Sequence, residues 1–64
     1  MNKKSLQVAL AEAQKASKEY PNVVIRVMDK KGGKAVYTGS EWVYKERVLA
    51  GYHTVATYKG GTVL

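Results

Sequence analysis

The sequence predicts an α+β domain in which one N-terminal helix packs on a three-stranded antiparallel sheet, in the order α-β-β-β. Three observations carry that expectation. Residues 5–19, SLQVALAEAQKASKE, form an alanine-rich window with apolar side chains at spacings of three and four. Residues 22–38, NVVIRVMDKKGGKAVYT, join two runs of β-formers through a short segment containing Gly32-Gly33. Residues 52–59, YHTVATYK, alternate and are rich in β-branched and aromatic residues.

The helix is punctuated at both ends. Ser5 can cap it by accepting from a free backbone N–H of the first turn. Pro21 ends it, because the residue before a proline is pushed out of the α region. Leu6, Ala9, Leu10, Ala13, Ala16, Ser17 and Tyr20 share a face. Core packing against a sheet is the economical use of such a stripe, and its small alanines allow a close approach.

The first strand follows without a linker. Alternation places Val23, Ile25 and Val27 on one side, expected to meet the helix, and Val24, Arg26 and Met28 on the other. The run Asp29-Lys30-Lys31-Gly32-Gly33 then turns the chain, and Ala35 to Thr38 restart the apolar pattern as a hairpin partner.

Residues 39–51, GSEWVYKERVLAG, admit two readings. Ser40 as N-cap, Glu41 in the first turn, Lys45 and Arg47 later and Gly51 beyond the end would punctuate a short helix. Trp42, Val43 and Tyr44 are strand formers, and a helical wheel leaves no clean apolar stripe. On that balance the second strand resumes through Trp42-Val43-Tyr44 after a kink at Gly39-Ser40, with a short helical turn within 40–50. The third strand covers Tyr52 to Lys59 and stops at Gly60-Gly61. Thr62 to Leu64 form a frayed tail or a short edge pairing.

The chain reads as a single small basic domain, 1–64, without repeats or low-complexity tracts. At this length folding buries only about 60% of the surface that the unfolded chain exposes, so a partner subunit is a natural supplement to the core. With no cysteine, disulfides and thiolate metal sites are excluded, and the lone His53 cannot form a histidine cluster. No cofactor or metal is expected. Lys3 and Lys4 precede a stretch too polar for the apolar region of a secretory leader. No apolar run approaches the about 18–20 residues that span a bilayer. A cytoplasmic protein without membrane contact is the resulting expectation.

No constellation of His, Cys, Ser and carboxylate spacing proposes an active site, so the expectation is not an enzyme, and no small-molecule substrate is evident. Eleven Lys and Arg against five Asp and Glu give a net charge of +6, which favours acidic or polyanionic partners. The leading expectation is a non-enzymatic protein-binding module, either an inhibitor or modulator of an acidic partner or a homodimer, working through the sheet face the helix leaves uncovered. Val24, Arg26, Met28, Tyr37, Trp42 and Tyr44 are its candidate contact residues. The argument is that solvated faces of antiparallel sheets normally turn polar, whereas Val24 and Met28 do not, so that side should be buried by a second copy, by a partner, or by residues 39–51 folding back over it. The alternative is nucleic-acid binding, with Lys30, Lys31 and Lys34 at the hairpin tip on phosphates and strand tyrosines stacking on bases. The same lysines also serve a solvated turn that resists edge-to-edge pairing. The phosphate-loop pattern GxxxxGK[ST], the RNP pattern, the GXXG loop and a helix-turn-helix spacing are all absent.

Overall fold

The computed structural model describes residues 5–64. Met1 to Lys4, including the Lys3 and Lys4 weighed above, lie outside the described residues. The α+β class holds: an N-terminal helix, α1 (Leu6–Glu19), packs on an antiparallel sheet of four strands, and a second, shorter helix is present. The strands are β1 (Ile25–Asp29), β2 (Val36–Thr38), β3 (His53–Lys59) and β4 (Thr62–Val63), with α2 (Glu41–Leu49) between β2 and β3. The sheet order is β2-β1-β3-β4.

The N-terminus of α1 forms as its sequence implies. Ser5 Oγ accepts from the Val8 N–H at 3.2 Å. Ala9, Ala13 and Ser17, each four residues after the last, are fully buried, so the part of the helix nearest the sheet is its smallest side chains. They meet Ile25, Val27 and Ala35, with Leu6, Leu10, Tyr37, Ala56 and Tyr58 packed around them. Val23, expected in this core, lies before β1 and remains 37% exposed.

The hairpin of β1 and β2 pairs Arg26 with Thr38, Val27 with Tyr37 and Met28 with Val36. On its other edge β1 pairs with β3, Val27 opposite Ala56 but Met28 opposite Thr54. Val55 is therefore an extra residue, a bulge that rephases β3. It leaves Ala56 and Tyr58 on the α1 side with Val27 and Ile25, and brings Thr54 rather than Val55 opposite Met28. Gly60 and Gly61, with φ of 63° and 84°, make the two-residue connection to β4. Left-handed φ at both positions matches the twist of tight hairpins and suits glycine alone among ordinary residues.

One expectation is corrected and one alternative decided. Residues 41–49 are a helix rather than a continuation of the second strand, and Thr62–Val63 takes the short edge pairing with the end of β3, which makes four strands where three were expected. The caps decide the first point. Ser40 Oγ accepts from the Val43 N–H at 3.2 Å, Glu41 sits in the positive first turn, and Gly51 takes the left-handed conformation, φ 100°, just past the C-cap Ala50. These local terms outweigh the strand preference of Trp42, Val43 and Tyr44, which is largely a preference for a half-buried pleated surface.

Candidate interaction surface

The second side of the sheet is set by alternation along β1. Ile25 and Val27 point to α1, so Arg26 points away from it. There Arg26 Nη1 donates to Glu41 Oε1 at 2.7 Å, and its guanidinium carbon lies 4.3 Å from the centroid of the Tyr44 ring. Thr54 Oγ1 donates to the Tyr44 hydroxyl at 3.1 Å. Glu41 and Tyr44 are both on α2, so α2 lies over the face opposite α1. The bulge at Val55 is what supplies a hydroxyl rather than a methyl group beneath Tyr44.

This placement redistributes the residues the sequence singled out. Met28 is fully buried and lies outside the α1 cluster, so it is interior and not a contact residue. Tyr37, opposite Val27, packs on the α1 core rather than on the open face. Val24 precedes β1 and is only half-exposed. Arg26 and Tyr44 are committed to each other across the sheet–α2 seam. The face expected to be open is thus roofed by the segment that was expected to extend the sheet.

The roof itself exposes its outer side. α2 has no buried residue, and only Val43 and Tyr44 are even half-buried. Trp42 is 73% exposed, Leu49 88% and Val48 45%. Trp42 and Leu49 are seven residues apart, about two turns, and so stand on one line of the helix surface with Lys45 between them. Beside that line, Tyr44, Lys45, Val48 and Leu49 border a shallow apolar groove of about 360 Å³. Monomeric domains expose single apolar side chains routinely, but here Trp42 and Leu49 align on one short helix and Val48 borders the groove beside Leu49.

Of the sequence candidates, Trp42 lies on this line and Tyr44 borders the groove beside it, while Val48 and Leu49 were missed. Their signal was the i, i+7 spacing of Trp42 and Leu49, meaningful only once 41–49 is read as helix.

The hairpin lysines gather elsewhere. Lys30 Nζ lies 5.7 Å and Arg47 Cζ 5.6 Å from the centroid of the Tyr52 ring. Lys34 and Arg47 line one shallow cavity with Ala35, Val36 and Tyr37. Arg47 and Tyr52 were not among the candidates, because nothing in the linear spacing brings α2 to the hairpin tip. His53 is exposed at the start of β3, opposite Asp29, whose Oδ1 accepts from the Lys30 N–H at 2.9 Å. Among the described residues no group of three or more His, Asp or Glu side chains is placed to hold a metal ion, and no helix is long and apolar enough to cross a membrane. Comparison with protein-family models, with curated proteins and with solved structures finds no match.

Proposed function

We propose that this chain is a cytoplasmic, non-enzymatic protein-binding module that docks an acidic partner on the outer side of α2. The observation that carries the reading is the exposure of Trp42 and Leu49 on a helix that buries none of its own residues. A two-turn helix whose apolar side chains point into water contributes little to its own fold, whereas docking removes their apolar area from water. Tryptophan is among the residues most enriched at the energetic centre of protein interfaces. The acidic character of the partner follows from charge. Lys45 and Glu46 flank the two anchors and balance each other, so the preference rests on the net charge of +6, which an apolar surface rimmed by carboxylates complements. A second copy would bring two +6 chains together across the same patch, which disfavours the homodimer.

Trp42 is the only tryptophan and reports on its own burial. Peptides selected by display against the chain are expected to be acidic with apolar anchors, and to shift Trp42 emission to the blue on binding. Trp42→Ala/Leu49→Ala is expected to weaken them about thirtyfold or more, corresponding to about 2 kcal/mol for loss of interface anchors. Its urea midpoint should stay near the wild type. Selected peptides that ignore the double substitution would refute the site. A concentration-dependent blue shift of the chain alone would replace the acidic partner with a second copy.

A further inference from the structure

Two cations from distant parts of the chain meet over one aromatic ring, away from Trp42 around α2, and a third stands nearby. Lys30, at the start of the β1–β2 turn, and Arg47, in the last turn of α2, both approach the ring of Tyr52. Lys34, at the far end of that turn, shares with Arg47 the walls of a cavity of about 320 Å³. Lys31 adds a fourth charge on the exposed tip. Among the described residues no carboxylate pairs with any of the four. Asp29 is occupied by the Lys30 backbone N–H and Glu41 by Arg26.

Gathering like charges costs free energy that a bound anion recovers, and four cations beside the single carboxylate of Asp29 leave a positive excess for one. The Tyr52 ring attracts the two nearer cations through its face and limits their wandering, at about 0.5–1 kcal/mol for each exposed contact. Ordering the side chains before the ligand arrives lowers the entropy cost of binding.

We propose that Lys30 and Arg47 over the Tyr52 ring, with Lys34 beside Arg47 and Lys31 on the adjoining tip, bind the phosphate backbone of a nucleic acid. A regularly charged strand can meet several separated cations at once. Lysine serves as a point charge for phosphate, while the single arginine can bond it in bidentate fashion. An acidic protein segment fits less well, because its carboxylates sit at the ends of flexible side chains and lack the fixed spacing of a phosphate strand. Trp42 and Leu49 lie about 140° and about 160° around the helix from Arg47 at 3.6 residues per turn. The two surfaces are therefore separate, and this site stands or falls independently of the protein-docking patch.

Fluorescence anisotropy with a short labelled single-stranded DNA and with its duplex, over a series of salt concentrations, tests the proposal. Binding at low salt is expected, with a log–log slope of about −0.7 per neutralised phosphate on the single strand and about −0.9 on the duplex. Lys30→Gln/Lys34→Gln/Arg47→Gln should lower the magnitude of the single-strand slope by about 2, three contacts' worth. The control Lys15→Gln/Lys18→Gln/Lys59→Gln, which removes the same charge from other exposed positions, should retain the slope. Trp42→Ala/Leu49→Ala should leave DNA binding unchanged. Absence of binding at low salt overturns the proposal. So does an equal effect of the control triple, which would reduce the interaction to net charge. Polyglutamate bound as tightly and lost with the same triple would assign the cluster to acidic protein instead.

Discussion

Among the described residues Ser17 is the one buried polar side chain of the core, and its replacement by alanine isolates a single tie between the helix and the far end of the sheet. Its Oγ accepts from the Gly61 N–H at 2.6 Å, while Gln14 Nε2 donates to the Gly61 carbonyl at 3.0 Å. α1 thereby holds both backbone groups of one residue in the β3–β4 turn. Ser17→Ala keeps the helix and removes the acceptor. Leaving a buried donor unmatched costs about 1–3 kcal/mol. Gly61 is only partly buried, so water can restore some of this bond and the lower half of that range applies. Alanine is the better helix former by up to about 0.5 kcal/mol, which offsets part of the loss. The net destabilisation expected is about 0.5–1.5 kcal/mol. A chain of this length has about 3–10 kcal/mol in total at typical values per residue. With a urea dependence of about 1 kcal/mol/M for a small domain, the midpoint should fall by about 0.5–1.5 M. Hydrogen exchange of the Gly61 amide should quicken well beyond what the global loss accounts for. Gln14→Ala, at an exposed bond, should move the midpoint by less than about 0.5 M on the same scale. A Ser17→Ala midpoint at or above the wild type, with Gly61 exchange unchanged, would refute the reasoning.

Three further outcomes follow from the packing. Ile25→Ala should cost about 2–5 kcal/mol by chemical denaturation, as a truncation inside the α1 cluster. Ser40→Ala removes the N-cap of α2 and should lower far-ultraviolet helicity, at about 1 kcal/mol, while leaving the protection of β1 amides intact. Gly39→Ala would place a methyl group 2.7 Å from Val23 Cγ1 and 3.1 Å from Ile25 Cδ1, too close for either to stay put. It should cost about 1–3 kcal/mol, and Val23→Ala in the same chain should restore part of the loss in a double-mutant cycle.

Helix α1, the β1–β2 hairpin and β3 were legible because each carries its own periodicity and its own terminators: Ser5 and Pro21, Gly32-Gly33, and Gly60-Gly61. The character of 41–49 was not. Periodicity reveals a helix by the stripe it buries, and α2 buries none, so its wheel looked disordered while its caps pointed correctly. The misreading carried into the candidate surface. Taking Trp42 to Tyr44 as strand left a sheet face bare, and Met28 was assigned to it; with the helix in place Met28 is interior and the exposed apolar residues move to Trp42, Val48 and Leu49. The apolar excess on strand one was real, since it marked the need for a cover, but the sequence pattern left open whether a second copy, a partner or residues 39–51 supplied it. Arg47 and Tyr52 were illegible for a different reason. Their approach to Lys30 depends on how the turn after α2 lands beside the hairpin, a tertiary outcome with no local signature.

The position of β1 between β2 and β3 has a consequence for how the chain is made. Val27 finds Tyr37 on one edge soon after it is synthesised, but its partner on the other edge, Ala56, belongs to a strand that ends only at Lys59. At about 5–20 residues per second, the stretch from the end of β2 to the end of β3 takes about one to four seconds to emerge from a ribosome. Throughout that interval α1 and the hairpin exist with one hydrogen-bonding edge of β1 unfilled and Met28 without its opposite residue. An open strand edge is a template for pairing with another nascent chain. Arg26 lies on that strand, and Lys30, Lys31 and Lys34 follow it in the turn, so neighbouring nascent chains repel one another while the edge waits.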